Sequence, residues 1–428
     1  MPLAWLDRPP RVLFCTDTCL PQMNGVSVVT AISVRGLTER GWRCEVIAPR
    51  YPRALAGCGL EPSGSEHRIT SIPSVAMPGY REIRLALPAY RRLADAIDRF
   101  RPDIVHCQTE FMIGRLAQLA AHRRGIETVS SYHTDFGRYA EAYGAPVLRR
   151  MISSYLARFH RRSRRVFTPS RSAEADLRAL GVRRVSVWGR GVDTTCFTPT
   201  LRSAGARERL GFGSRFTFLY VGRFAAEKNV ELVLEAYRRA SASVPQGVMR
   251  LVLAGTGPRE PALRAAATEG VTFLGQLDRE GDLPELYANA DAFVFASTTE
   301  TLGLVVLEAM ASGLPVIAVP AGGVREHLVD GANGIAYPAG DAAALAAAMR
   351  HLASEPRYAL ELGRRAREGA EHLSWDSELD RLDAAYRAVL AGASAVAPFG
   401  TAGQNRAVTA VRTPAIAGSE GSAKLWRS

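Results

Sequence analysis

The sequence predicts an α/β protein made of two doubly wound, Rossmann-like domains that face a central cleft. Three observations carry this expectation. Short apolar strand patterns alternate with helical patterns over most of the chain. The alternation comes in two runs, separated at Pro199–Gly213 by polar and small residues. The helical patterns are long enough to act as crossovers between parallel strands. Ligands of such sheets bind beyond the C-terminal ends of the strands, so residues just after a strand are the candidates for function.

In the first run, strands are expected at Arg11–Cys15, Cys44–Ala48, Ile104–His106, Thr128–Tyr132, Arg165–Thr168 and Val185–Val187. Helices are expected at Val26–Arg40, Tyr90–Phe100, Val147–Arg161 and Ala173–Leu180. In the second run, strands are expected at Phe216–Val221, Arg250–Ala254, Val271–Leu274, Ala292–Ala296, Pro315–Ala318 and Gly334–Tyr337. Its helices are expected at Val230–Ala240, Glu260–Ala267, Leu283–Ala288, Leu304–Ala311, Val324–Leu328 and Ala342–Leu352. The domains are therefore drawn at residues 1–200 and 201–374. An amphipathic helix over 375–392 is expected to cross back to the first domain. Residues 393–428, rich in Ala, Gly, Ser, Pro and Thr, are expected to be a disordered tail.

Composition narrows the class. The chain has 428 residues, 47% hydrophobic and 22% charged, which suits two globular domains. No apolar run reaches the roughly 18–20 residues that span a bilayer. The first ten residues carry Asp7 and two prolines rather than a signal-peptide core. Six cysteines without a CxxC pair are expected to be free thiols in a reducing cytoplasm. No Asp-x-Asp is present to clamp a metal–diphosphate. The charge is lopsided: residues 1–200 hold 30 arginines against 17 carboxylates, whereas the rest is nearly neutral. A basic half suits an anionic partner, either a membrane surface or nucleic acid. Nothing in the first half resembles an RNP, KH or zinc module, and no nucleic-acid partner is expected.

The most informative stretch is ETLGLVVLEAMASGLPVIA, Glu300 to Ala318. Glu308 sits inside a very apolar helical pattern. Burying its carboxylate is costly unless something donates to it, and a ribose diol offers two hydroxyl donors. Glu300 lies in the loop before the helix. Gly303 permits close approach of a ligand, and the free amides at Gly303, Leu304 and Val305 suit a phosphate. In VGRFAAEKN, after the strand Phe216–Val221, Arg223 and Lys228 face the cleft and suit a diphosphate. The chain has only two lysines, Lys228 and Lys424, so a lysine placed in this loop points to a need for an ammonium. Asn24-Gly25 turns from the first strand into a helix whose N-terminus faces the cleft. Ser130-Ser131-Tyr132-His133-Thr134-Asp135 ends a strand. His133 there can reach a sugar hydroxyl, and Asp135 can orient it or meet an acceptor. Gly255-Thr256-Gly257 lacks the full GxGxxG pattern and carries little by itself. Arg149, Arg150, Arg158, Arg161, Arg162, Arg164 and Arg165 interleave with Met151, Ile152, Tyr155, Leu156 and Phe159. This resembles a basic amphipathic surface for anionic lipid. Arg81, Arg84, Arg91 and Arg92 add a second basic stretch.

Taken together, these motifs and PAGGVREHLVDGANGIAYPAGD (320–341) resemble the retaining glycosyltransferases of family 4, which have the GT-B fold. The resemblance covers about residues 10–390. DTCLPQMNGVSVV and YHTDF are similar to members that glycosylate lipids, especially GDP-mannose-dependent mannosyltransferases, with sulfoquinovosyl- and glucosyl-lipid synthases also similar. The resemblance implies that Glu308 binds the donor ribose and that Arg223 and Lys228 hold the diphosphate. It implies that Glu300 and the amides at Gly303, Leu304 and Val305 contact the sugar and distal phosphate. His133 is implied to touch the sugar, and Gly25 to let its loop approach the phosphates. Thr301-Leu302 stands where many relatives have Pro-Phe or Gly-Phe. The resemblance further implies retention by front-face displacement, no cofactor and no metal. It also implies a lipid or glycan acceptor, and a cytoplasmic protein peripheral on the inner face of the plasma membrane. The alternatives are a transferase using UDP-glucose with a soluble sugar acceptor, and a catalytically inactive nucleotide-sugar sensor.

Overall fold

The computed structural model describes residues 8–20, 22, 24–52, 68–77, 80–133, 148–189 and 191–392. The first domain contains β1 (Arg11–Cys15), α1 (Gly25–Glu39), β2 (Arg43–Pro49), β3 (Ile69–Ile72), β4 (Ser74–Met77), β5 (Tyr80–Ala86), α2 (Tyr90–Phe100), β6 (Ile104–Cys107), α3 (Met112–His122), β7 (Glu127–Ser131), α4 (Leu148–His160), β8 (Arg165–Thr168), α5 (Arg171–Ala179) and β9 (Val185–Val187). Seven of these strands form a parallel sheet in the order β3-β2-β1-β6-β7-β8-β9. β4 and β5 form a separate antiparallel hairpin.

The second domain contains α6 (Ala204–Arg209), β10 (Phe216–Val221), α7 (Val230–Ser241), β11 (Met249–Ala254), α8 (Glu260–Ala266), β12 (Val271–Gly275), α9 (Asp282–Asn289), β13 (Ala292–Phe295), α10 (Leu304–Ala311), β14 (Val316–Ala318), β15 (Gly334–Ala336), α11 (Ala342–Ser354) and α12 (Pro356–Glu371). Its six strands are also parallel, in the order β12-β11-β10-β13-β14-β15. Helices cover both faces, so β10 and β11 are buried at every residue, as their unbroken apolar runs require.

Several elements were not legible. β3 is a four-residue edge strand, and the hairpin exposes Val75, Met77 and Leu85, so neither shows a buried pattern. α3 carries Gly114 in its first turn. α12 buries Ala359, Gly363, Ala366 and Ala370, which are too small to mark an apolar stripe, besides Leu362. The expected helix at Val324–Leu328 is a 3-10 turn over Gly322–Glu326. The expected disordered tail, 393–428, lies outside the described residues.

The helix α13 (Trp375–Leu390) runs back onto the first domain. Trp42 Nε1 donates to Asp383 at 2.6 Å and Arg40 Nε to Asp380 at 2.8 Å. Trp188 Nε1 donates to the Glu378 carbonyl at 2.7 Å. Deepest of all, Tyr386 Oη lies 2.5 Å from Nδ1 of His106, a fully buried residue of β6. The other ring nitrogen is 2.8 Å from Ser131 Oγ at the end of β7. Burial holds the His106 imidazole neutral, well below its ordinary pKa. Tyr386→Phe strands one nitrogen of this ring, at a cost of about 1–3 kcal/mol. The thermal midpoint is expected to fall by several degrees in scanning calorimetry, and an unchanged midpoint overturns the role given to this hydrogen bond.

Candidate active site

Both parallel sheets deliver their strand ends to one cleft. In the second domain β10 ends at Val221, and Gly222-Arg223-Phe224-Ala225 leads into a 3-10 turn, Ala226–Lys228. Asn229, at φ 52°, then opens α7. This loop is braced from below: Phe224 N–H donates to the Thr256 carbonyl at 2.8 Å. A Cβ at Gly255 would lie 2.0 Å from the Gly222 carbonyl oxygen, so only glycine fits. The Gly255-Thr256-Gly257 turn therefore supports the cation loop.

The loop's charges are held in pairs. The Arg223 guanidinium bonds the buried carboxylate of Glu227. Lys228 Nζ bonds Glu300 Oε1, joining the two motifs read separately from the sequence. The Glu300 carbonyl accepts the Gly323 N–H at 2.9 Å. A Cβ at Gly322 would lie 2.0 Å from that same oxygen. The Ala-Gly-Gly turn of 321–323 is thus shaped by the loop it carries. Gly303, at φ 78°, is the N-cap of α10, and the amides of Leu304 and Val305 have no carbonyl four residues back within the helix.

Glu308 is 2% exposed, as its apolar setting predicts, but the protein already supplies partners. Arg279 approaches Oε1 with Nη2 at 2.7 Å and Nε at 3.0 Å, and Tyr287 Oη lies 3.3 Å from Oε2. Burial raises the Glu308 pKa, and Arg279 opposes that rise. The Arg279 guanidinium also sits 5.1 Å from the Phe197 ring centroid. Arg279 and Tyr287 thus supply donors to this carboxylate from within the protein. Arg279, Tyr287 and Glu227 were not read from the sequence. They share no local spacing with Glu308 or Arg223 beyond the i,i+4 offset of Glu227.

In the first domain, Asn24 caps α1 with a reciprocal bond to Ser27, and a Cβ at Gly25 would meet nothing within 4 Å. Among the described residues, the space in front of Gly25 is open. His133 follows β7; its Nε2 is 2.7 Å from Gln108 Oε1, and Thr301 Oγ1 donates to its carbonyl at 2.5 Å. Thr301 thus ties the loop before α10 in one domain to the strand end of the other. Burial, with His160 nearby, pushes the His133 pKa down to about 4. Asp135 lies outside the described residues. On α4 and just beyond it, Arg150, Arg158, Arg161 and Arg162 are exposed and line a surface concavity of about 810 Å³. Met151 is 70% exposed beside them. The side chains of Arg149 and Arg81 lie outside the described residues.

Two doubly wound domains meeting at such a cleft make up the GT-B fold. Anabaena HepE in complex with UDP and glucose has this fold, with TM-score 0.70 and 18% identity over 89% of this chain and 100% of that one. Residues 23–195 match the model described as Glycosyltransferase Family 4, and residues 215–355 the one described as Glycosyl transferases group 1. A GDP-mannose-dependent alpha-mannosyltransferase of Mycobacterium tuberculosis is 34% identical over 89% of this chain and 97% of its own length. The sulfoquinovosyl transferase SQD2 of Arabidopsis thaliana is 32% identical over 86% of this chain and 72% of its own. The chain belongs to glycosyltransferase family 4. It is an enzyme that takes its sugar from a nucleotide-sugar donor.

Removing one half of a buried ion pair leaves the other uncompensated, which costs about 3–5 kcal/mol. Arg279→Met is therefore expected to destabilise strongly in denaturant unfolding, and Arg279→Met/Glu308→Gln to recover part of the loss. In Arg279→Met the folded-state pKa of Glu308 rises further above its unfolded value, so the deficit shrinks as pH falls through that raised pKa. A deficit independent of pH between 5 and 8 overturns the pairing.

Proposed function

We propose that this enzyme is a retaining, metal-independent mannosyltransferase. It moves mannose from GDP-mannose to a lipid or lipid-linked acceptor at the cytoplasmic face of a membrane. The observation that carries the reading is the Lys228–Glu300 pair beside Arg223, in a chain with near full-length similarity to a GDP-mannose-dependent alpha-mannosyltransferase. A diphosphate leaving group needs positive charge where its oxygens develop charge, and fixed cations with helix amides provide it. Arg223 and Lys228 stand at that end of the cleft, with the first amides of α10 across from them. On donor binding, the diphosphate takes over the cations, and Glu300 is freed to hold hydroxyls of the sugar. Glu308 holds the ribose through Oε2, its orientation set by Arg279 and Tyr287.

The acceptor hydroxyl attacks the anomeric carbon from the side on which the phosphate leaves. The C–O bond to phosphate breaks as the new C–O bond forms, the phosphate takes the bonding pair, and its oxygen takes the hydroxyl proton. No protein base is needed. Catalysis is then positioning plus stabilisation of the leaving group. His133 touches the sugar from the first domain, Gly25 leaves room for the phosphates, and Asp135 is the candidate on the acceptor side. The exposed Arg150, Arg158, Arg161 and Arg162 with Met151 support an anionic membrane as the place of work. A second reading, UDP-glucose with a soluble sugar acceptor, is favoured by the fold it shares with HepE, whose structure holds UDP and glucose.

The test is transfer of label from GDP-mannose and from UDP-glucose to a bacterial lipid extract, with and without EDTA. Label is expected in lipid from GDP-mannose, unaffected by EDTA. It should fall about 100-fold or more in Arg223→Ala and Lys228→Ala. Near-normal transfer in both variants removes the diphosphate assignment, and label from UDP-glucose into free sugar establishes the second reading. Arg150→Glu/Arg158→Glu/Arg162→Glu is expected to abolish sedimentation with phosphatidylglycerol vesicles while leaving GDP affinity intact. Persistent sedimentation places the lipid surface elsewhere.

A further inference from the structure

Gln108 follows β6, between the strand ends that lead to Gly25 and to His133. Its backbone N–H donates to the Cys15 carbonyl at 2.9 Å, which fixes it at the floor of the cleft. Its side chain is fully buried, with Oε1 2.7 Å from His133 Nε2. In this placement the amide oxygen faces the ring and only accepts, so the imidazole hydrogen sits on Nε2 and Nδ1 keeps its lone pair. Among the described residues, the ring's one side-chain hydrogen bond is the one to Gln108. The amide Nε2 of Gln108 is buried with no partner among the described residues. A buried amide donor left unpaired costs about 1–3 kcal/mol. Among the described residues, the side chain's one hydrogen bond goes to His133.

We propose that Gln108 is a positioning residue: it fixes the Nε2-protonated tautomer of His133, so that Nδ1 faces the cleft as an acceptor for a hydroxyl of the transferred sugar. The inference rests on the reading of His133 as the sugar-contacting residue of the first domain. An imidazole donating to Gln108 through Nε2 and accepting from a hydroxyl through Nδ1 reads that hydroxyl in one direction only. It favours a sugar whose oxygen there can donate. Burial keeps the ring uncharged near neutral pH, since its pKa is pushed down to about 4, so the lone pair stays available.

The experiment is nitrogen NMR of the full-length protein labelled at histidine, with His133→Phe to assign the signal. It is paired with steady-state kinetics of Gln108→Met. Wild-type His133 is expected to be a single Nε2-protonated tautomer. In Gln108→Met the signal should become mixed or shift to the Nδ1-protonated form. Transfer should fall about 10-fold, with GDP affinity unchanged because GDP lacks the transferred hexose that His133 is proposed to contact. An Nδ1-protonated His133 in the wild type, or a Gln108→Met enzyme with wild-type tautomer and rate, overturns the proposal. Normal transfer by His133→Phe would instead remove the parent reading of His133, while the wild-type tautomer still reports on Gln108 directly.

Discussion

A parallel strand cannot return by a tight turn, so every strand of a doubly wound sheet delivers its C-terminal end to the same edge. All else in this protein follows from that constraint applied twice. β1, β6 and β7 bring Gly25, Gln108 and His133 to one edge. The loops after β10, β12 and β13 bring Arg223, Lys228, Arg279 and Glu300 to the other. The apolar runs that make the strands cannot carry this chemistry themselves. It sits in the loops that follow the strands and in the first turns of the helices they lead into.

The second organising feature is that the cleft's charges are neutralised before any donor arrives. Arg223 is bonded to Glu227, Lys228 to Glu300, and Arg279 to Glu308. Each cation is thereby oriented without a ligand, and each carboxylate is kept from being an unpaired charge in a half-dry site. The pairs differ in depth. The side chains of Lys228 and Glu300 are 15% and 17% exposed, so a dianionic ligand can displace one for the other. Those of Arg279 and Glu308 are 12% and 3% exposed and tied to Tyr287, which makes this pair a fixture of the wall. One pair is built to open and the other to stay.

This difference also explains what was legible in the sequence. Strands β10 and β13 could be read because burial on both faces leaves an unbroken apolar run, and β3 could not because an edge strand has no such requirement. The stretch 300–308 stood out because a carboxylate in an apolar helix violates the local pattern. Its partner Arg279 left no trace, since the two meet only once the loop after β12 reaches α10 in the folded chain. Gln108 was missed for the same reason: a glutamine after a strand looks ordinary until its amide is found buried against His133. Residues that break a local rule announce themselves, while residues that repair the break from across the fold do not.

The basic face and the cleft are also joined through the core. Tyr155, on the Arg-rich helix α4, donates its hydroxyl to the Glu110 carbonyl, and His160 at the end of α4 lies 3.2 Å from the Glu110 carboxylate. Glu110 is two residues from Gln108. His160 in turn is 2.9 Å from Ser130 Oγ on β7, three residues before His133. α4 is thus hydrogen-bonded to residues two and three positions from Gln108 and His133 along the chain. α13 closes the other side through Tyr386 and His106, so β6 and β7 are clamped between two helices. The ends of β6 and β7 that carry Gln108 and His133 are therefore anchored from both faces of the sheet, which fixes where these two side chains stand.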